Sequence, residues 1–166
     1  MKTVFKGENP KSIFEVGCMN SWFAKQYSID NDVIVGGIDY EKEYIDGSKK
    51  EFPQFKDNFI LWDITKKDWP VKSNSYDIVF TVGTLLLIPN PYDVMKEMIR
   101  IAKDKLIILE YQDDNETDYG SLGNTSQPKD KNKRVYRDYR KVFDKMGLKY
   151  KRITDYSGKT LFKIQL

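Results

Sequence analysis

The chain has 166 residues, a length that fits one domain with a single ordinary hydrophobic core. Its apolar content of 40% and charged content of 32% are typical of a soluble globular protein, and no apolar run approaches the roughly twenty residues that a membrane helix requires. Histidine is absent and Cys18 is the only cysteine, which excludes an internal disulfide, metal sites built on several thiolates, and Ser-His or Cys-His catalysis. We therefore expect a cytoplasmic domain that spans residues 1–166, with neither a membrane partner nor a metal site.

The first half of the chain predicts strands that alternate with helices. The apolar run 12–17 ends at a glycine, as a buried strand followed by a tight turn does. A helix that ends near Tyr27 follows, and the β-branched run 33–39 predicts the second strand. Residues 41–50 predict a second helix, and the short apolar run 59–62 predicts the third strand.

The second half continues the alternation and ends in a hairpin. Periodicity and turn residues predict, in chain order, a strand at 76–81, a helix at 91–102, a strand at 106–109, a helix at 135–146, and two final strands at 148–154 and 159–166. The polar, glycine-containing stretch 112–132 is predicted to be a mobile loop or lid.

This order of elements predicts a Rossmann-like α/β fold. Near-continuous apolar strands alternating with helices are typical of a mostly parallel sheet that is covered by helices on both faces. The terminal hairpin adds one antiparallel strand, which gives a seven-stranded sheet. The sequence contains no internal repeat and no sign of a second domain.

Ligands of open α/β sheets bind beyond the carboxyl ends of the strands, so the residues at those ends are the candidate site. They are Gly17, Asp39, Asp63, Thr81 and Glu110. Gly17 lets the backbone approach a ligand closely, while Glu15, Asp39 and Asp63 offer acceptors for an amino group, ribose hydroxyls and an adenine amine respectively. An adenosine with a cationic amino-acid tail suits this set.

Other interpretations of the same residues remain open. A nicotinamide dinucleotide suits them less well, because its G-x-G-x-x-G loop would need glycines at Met19 and Trp22. Glu15 and Asp39 are also placed to cap the amino termini of helices. Cys18 reads as a small buried apolar residue whose backbone amide still faces the ligand.

The segment Phe14–Ser21, an acid, a spacer and a glycine after the first strand, resembles the signature loop of class I S-adenosylmethionine (SAM)-dependent methyltransferases, with Met19 and Ser21 in place of later glycines. The family's acids after its second and third strands match Asp39 and Asp63. The stretch 76–91 is similar to the segment of the family's fourth strand. Among subgroups, the chain looks most like the methylases associated with pseudaminic acid biosynthesis.

The resemblance implies that SAM is the cofactor and S-adenosylhomocysteine the product. The implied cofactor-binding residues are Glu15, Gly17, Cys18, Asn20, Asp39, Tyr40, Asp63, Ile64 and Thr81. Methyl transfer from a sulfonium chiefly needs alignment of donor and acceptor, and a base is required only when the acceptor is a hydroxyl. The candidate catalytic residues are Glu110, Tyr111 and Asp113. We expect transfer to a small-molecule acceptor, a sugar or an amine.

Two further functions remain as alternatives. Met19 and Ser21 in the signature loop are compatible with a SAM-binding protein that has no catalytic activity. The basic stretch 129–152 is compatible with an RNA-associated methyltransferase, although charge runs are usually solvated faces. A homodimer is also compatible with the sequence.

Overall fold

A computed structural model gives the fold of residues 4–112, 135, 137–156 and 158–166, with the backbone alone at 154–156. The strands of this part of the chain are β1 (Ser12–Val16), β2 (Ile34–Asp39), β3 (Phe59–Leu61), β4 (Tyr76–Val82), β5 (Ala102–Glu110), β6 (Tyr150–Tyr156) and β7 (Lys159–Gln165). Its α-helices are α1 (Trp22–Ser28), α2 (Lys42–Glu51), α3 (Pro91–Ile101) and α4 (Tyr139–Lys145), and its 3-10 helices are Pro53–Asn58 and Leu85–Leu87.

The described strands form one sheet of seven, in the order β3-β2-β1-β4-β5-β7-β6. The first five are parallel, and β7 is antiparallel to both of its neighbours. The predicted Rossmann-like α/β sheet with one antiparallel strand from a terminal hairpin is therefore confirmed. Because the chain runs outward from β1 to β3 and then returns to β4, the strand order reverses between β1 and β4, which is where such sheets bind ligands.

Two apolar clusters cover the two faces of the sheet. On one face α3 and α4 contribute Met95, Met98 and Phe143, all fully buried. On the other face lie residues of α1 and α2 together with Phe5, whose ring centroid is 5.1 Å from that of Phe80. Both faces are covered, which explains why the central strands read as continuous apolar runs.

The two largest differences from the predicted element boundaries are at the starts of β5 and α4, and each has a local reason. β5 starts earlier than predicted. Its residues 103–105 are polar and partly exposed, so the apolar pattern did not indicate that they belong to the strand; there Lys103 Nζ lies 3.0 Å from Asp77 Oδ1. α4 starts later because the side chain of Asp138 caps it, accepting a hydrogen bond from the Arg140 amide at 3.0 Å.

Residues on the two sides of the stretch 113–136 are tied to each other. Gln112 and Arg137 form an isolated parallel bridge. Gln112 Nε2 donates to Asp138 Oδ1 at 2.7 Å, and its Oε1 accepts from the Tyr139 amide at 3.1 Å. The predicted loop or lid at 112–132 falls almost wholly outside the described residues. No described helix combines the length and the apolar character needed to cross a bilayer.

Candidate active site

The loops that follow β1 and β4 touch each other where the strand order reverses. Gly17 has a φ of +69°, a conformation that L side chains rarely adopt. A Cβ atom at Gly17 would lie 2.3 Å from Thr84 Oγ1, so Thr84 occupies the space beside this glycine. Below them the hydroxyl of Thr81, which is fully buried, donates to the Val16 carbonyl at 3.1 Å. Gly17 is therefore required by close packing against the loop after β4.

The signature loop keeps an alternating left-handed backbone without later glycines. Met19 has a φ of 45° and Ser21 a φ of 55°, alternating with Gly17 along the chain. Left-handed conformations are unfavourable for residues other than glycine. Hydrogen bonds from α2 stabilise this shape: Ser21 Oγ lies 2.7 Å from Ser48 Oγ, which also donates to the Met19 carbonyl at 3.2 Å. The positions at which the family has glycine thus keep a glycine-like backbone.

Met19→Gly is expected to raise the free energy of unfolding by about 1 kcal/mol, because it relieves the left-handed strain at a side chain that is 53% exposed. Chemical denaturation measures the change. Asn74→Gly is the matched control: Asn74 has a φ of 50°, but asparagine tolerates this region, so the gain should be smaller. A loss of stability in Met19→Gly would show that the loop is not strained at this position.

The carboxylate of Asp39 binds the signature loop to the end of β2. Its Oδ2 accepts from the Met19 amide at 2.9 Å and its Oδ1 from the Glu41 amide at 3.0 Å. The bond to Glu41, at the start of α2, corresponds to the helix-capping interpretation. Each carboxylate oxygen can accept a further hydrogen bond, so the same group retains the capacity to bind ribose hydroxyls. Tyr40, the next residue, is 68% exposed.

Glu15 is buried more deeply than Asp39 and Asp63, and it lies against α1. It is 3% exposed, and burial raises the pKa of its carboxyl well above the usual value, against a hydrogen bond from the Ala24 amide. The nearby charge of Asp39 raises it further. Among the described residues Glu15 Oε2 has no hydrogen-bond partner. This geometry agrees with the second interpretation of Glu15, a contact with the first turn of a helix.

Asp63 comes next to Asp39 at the same edge of the sheet. The Trp62 amide donates to the Asp39 carbonyl at 2.9 Å, which places the two strand ends side by side. Asp63 Oδ1 accepts from the amide and the hydroxyl of Thr65, at 2.9 and 2.7 Å, and the carboxylate is partly exposed. Ile64 is buried. The acids predicted to contact ribose and adenine are therefore neighbours.

The remaining signature-loop candidates differ in exposure. Cys18 is buried, and burial raises the pKa of its thiol far above the usual value, so it is an unreactive apolar residue. Its amide and that of Gly17 both donate to the Ile38 carbonyl, at 3.1 and 2.9 Å. The prediction that the Cys18 amide faces the ligand is therefore wrong, because this amide is paired with β2. Asn20 is exposed.

Glu110 ends β5 and is fully buried. Its Oε1 accepts from the amides of Thr84 and Leu85, at 2.8 and 2.9 Å, and its Oε2 has no partner among the described residues. Tyr111 is half-buried, with Lys159 Nζ 4.4 Å from its ring centroid. Asp113, the third candidate, lies outside the described residues.

The roles of two residues of this region were not predicted from the sequence. Thr84 is the second residue after the end of β4, and its place in the loop that follows a strand was the available signal. Arg137 was grouped with the basic stretch, but its Nη1 donates to the Leu85 carbonyl and its Nη2 to the Ile88 carbonyl, both at 2.8 Å. No spacing rule connects residues so far apart in the chain.

The acids at adjacent strand ends and the glycine-like signature loop therefore meet at the edge where ligands of Rossmann-like sheets bind. The chain belongs to the methyltransferase domain family, whose model matches residues 14–108. SAM is accordingly its cofactor and supplies an electrophilic methyl group.

Solved structures with the same fold share little sequence with this chain. A Bacillus halodurans protein assigned as a methyltransferase has a TM-score of 0.67 at 11% identity, with 98% of this chain and 95% of that chain covered. A SAM-dependent methyltransferase from Aquifex aeolicus has a TM-score of 0.62 at 18% identity, with 93% of this chain and 80% of that chain covered. The Haloferax volcanii complex of the Trm112 methyltransferase activator with its proposed methyltransferase has a TM-score of 0.68 at 15% identity, with 93% of this chain and 82% of that chain covered. No curated protein sequence matches significantly.

Proposed function

We propose that this methyltransferase transfers the methyl group of SAM to a small-molecule acceptor, a sugar or an amine, bound beside the loops after β1 and β4. One observation carries the proposal: large apolar side chains are exposed in the loops and first helical turn at this edge. They are Met19, Trp22, Tyr40 and Leu87, with exposures of 53%, 52%, 68% and 48%. Ligand sites are commonly lined by apolar side chains.

In this proposal Asp39 accepts hydrogen bonds from the ribose hydroxyls and Asp63 accepts one from the adenine amine. Tyr40 and Ile64 border the nucleoside, while Gly17, Cys18 and Asn20 border the amino-acid tail and Thr81 forms the floor. Glu15 supports the loop from beneath, through α1. The closeness of Asp39, Asp63 and the signature loop supports these roles.

We assign catalysis mainly to alignment and exclusion of water. Transfer from a sulfonium has a good leaving group, so a neutral amine or a carboxylate acceptor needs no base. The burial of Glu110 and its bonds to backbone amides favour a supporting role for it. Tyr111 and Asp113 stay as the candidate bases for a hydroxyl acceptor. The resemblance to methylases associated with pseudaminic acid biosynthesis favours a sugar among the acceptors to be tested first.

The RNA-associated alternative has less support from the described part of the basic stretch. Arg137 donates to backbone carbonyls, and Arg140 Nη2 lies 2.8 Å from Asp138 Oδ2, so both guanidinium groups have protein partners. Lys145 and Lys149 are exposed and make a sharper test. We expect Lys145→Glu/Lys149→Glu to leave retention on an RNA column unchanged; a steep, salt-dependent loss would instead support the RNA-associated function.

Transfer of label from tritiated SAM tests the proposed function directly. Cell extract is divided by ultrafiltration into small molecules and macromolecules, and each fraction is incubated with the protein. We expect labelled product from the small-molecule fraction only, and none with Asp39→Ala. Binding of S-adenosylhomocysteine without labelled product from either fraction would favour the non-catalytic alternative.

Partners and location are part of the same proposal. The Haloferax volcanii neighbour is in complex with a methyltransferase activator. A homodimer or an activator subunit would both raise the mass measured by light scattering after gel filtration, the second only when the activator is added. Cytoplasmic location stays a prediction, to be checked by fractionation.

A further inference from the structure

The segment that follows β4 is held through its backbone by two charged side chains. At its start the Glu110 carboxylate accepts from the amides of Thr84 and Leu85, at 2.8 and 2.9 Å. These amides begin the 3-10 helix Leu85–Leu87, where unpaired N–H groups attract negative charge. The anion therefore holds the amino end of this short helix.

The carbonyl groups of the same segment are held by a cation. Arg137 donates to the carbonyls of Leu85, Ile88 and Pro89, at 2.8, 2.8 and 3.3 Å. The Val135 amide adds a bond to the Leu86 carbonyl at 2.7 Å. The guanidinium fork reaches several carbonyls at once, which an ammonium group does less well. An anion thus binds the amides of segment 84–89 and a cation binds its carbonyl groups.

Fixing this segment also fixes Thr84, the residue packed against the signature loop. The Gly83 amide donates to the Leu109 carbonyl at 2.9 Å, so the segment is anchored to β5 just before Thr84. The threonine side chain fills the space in which a Cβ atom of Gly17 would lie. A displacement of segment 84–89 would consequently move Thr84 and change its contact with Gly17.

We propose that Glu110 and Arg137 are positioning residues for the cofactor: they clamp segment 84–89 so that Thr84 sets the position of the signature loop. This inference rests on the proposed function and assigns a regulatory property to its cofactor site. It gives Glu110 a role through Thr84 and Gly17 without contact with the reacting atoms.

The clamp depends on the charge of Glu110. Burial raises the pKa of this carboxyl to about 7, against the opposing effects of its backbone hydrogen bonds and of Arg137. In the described part of the chain, Tyr139 of α4 also faces it, and the pKa of this tyrosine is raised well above the usual value by burial and by Glu110. An ionised acceptor forms the stronger hydrogen bonds. Cofactor affinity should therefore be highest above pH 7 and fall as Glu110 is protonated below it.

Calorimetry with S-adenosylhomocysteine at pH 8 and pH 6 tests this dependence. For the wild type we expect affinity about fivefold to tenfold weaker at pH 6, since a carboxyl with a pKa of about 7 is roughly nine-tenths ionised at pH 8 and roughly one-tenth ionised at pH 6. Glu110→Gln keeps an oxygen for both amides but removes the titration, so its affinity should be equal at the two pH values. Arg137→Lys should weaken binding several-fold at both.

Glu97→Gln is the matched control. Glu97 also accepts from a backbone amide, that of Trp69 at 3.0 Å, and its pKa is lowered by Arg100, so it does not titrate in this range. This variant should keep the wild-type pH profile. A wild-type profile that is flat, or one that Glu110→Gln leaves unchanged, overturns the clamp while leaving the proposed function standing. Absence of binding by the wild type at pH 8 overturns both. If Glu110→Gln shows no cooperative melting transition, the clamp is tested by the pH dependence of wild-type affinity and by the affinity of Arg137→Lys.

Discussion

Asp39→Ala is expected to weaken S-adenosylhomocysteine binding by at least about a hundredfold, because the cofactor would lose a charged acceptor for two ribose hydroxyls. Hydrogen bonds to charged groups contribute roughly 1.5–3 kcal/mol each, and about 2.7 kcal/mol already corresponds to a hundredfold change in affinity. Calorimetry measures this loss. In thermal melts, ligand should raise the melting temperature of the wild type by mass action and leave that of the variant unchanged.

The control for Asp39→Ala is Asp46→Ala, an exposed acid of α2 that pairs with Lys42. It should retain the full ligand-induced shift. The melting temperature without ligand separates the two interpretations of Asp39. If Asp39→Ala no longer melts cooperatively, its bonds to Met19 and Glu41 are essential for folding and the helix-capping interpretation gains.

Gly17→Ala is expected to lower the free energy of unfolding by about 3 kcal/mol and to abolish cofactor binding. A left-handed alanine costs about 1–2 kcal/mol, and forcing an extra group into a filled space costs about 1–3 kcal/mol. The added Cβ would meet Thr84 at 2.3 Å. Urea denaturation measures the loss.

Two further variants divide this loss into strain and clash. Gly147 has a φ of +67° but open space around its Cβ position, so Gly147→Ala should show the strain alone, about 1–2 kcal/mol. Gly17→Ala combined with Thr84→Gly should recover the part due to the clash. If Gly17→Ala costs no more than Gly147→Ala, Thr84 is not packed against the signature loop.

The sheet and the position of its site could be predicted because the relevant signals are local. Apolar runs 12–17 and 33–39 end at a glycine and an acid, and parallel strands bring those ends to one edge. The acids predicted to bind ribose and adenine, Asp39 and Asp63, are neighbours there because β2 and β3 pair in register. Strand periodicity and strand ends were sufficient for this part.

The rest depends on contacts between distant residues, which periodicity does not report. The stripe from 135 predicted a longer last helix, whereas Arg137 is held by carbonyls that lie about fifty residues earlier. Met19 and Ser21 looked like departures from a glycine loop. The backbone nevertheless keeps left-handed conformations there, because Asp39 and Ser48 supply the compensating hydrogen bonds.

The bonds between Gln112 and Asp138 have a consequence for protein engineering. They join the end of the sheet to the start of α4, so Gln112 and Asp138 lie next to each other although they are 26 positions apart in the chain. Doubling the length of a closed loop costs only about 0.6 kcal/mol in entropy. Chimeras that carry a donor sequence of another length in place of residues 113–134, and so keep the bonds of Val135 and Arg137 to the segment after β4, should therefore fold.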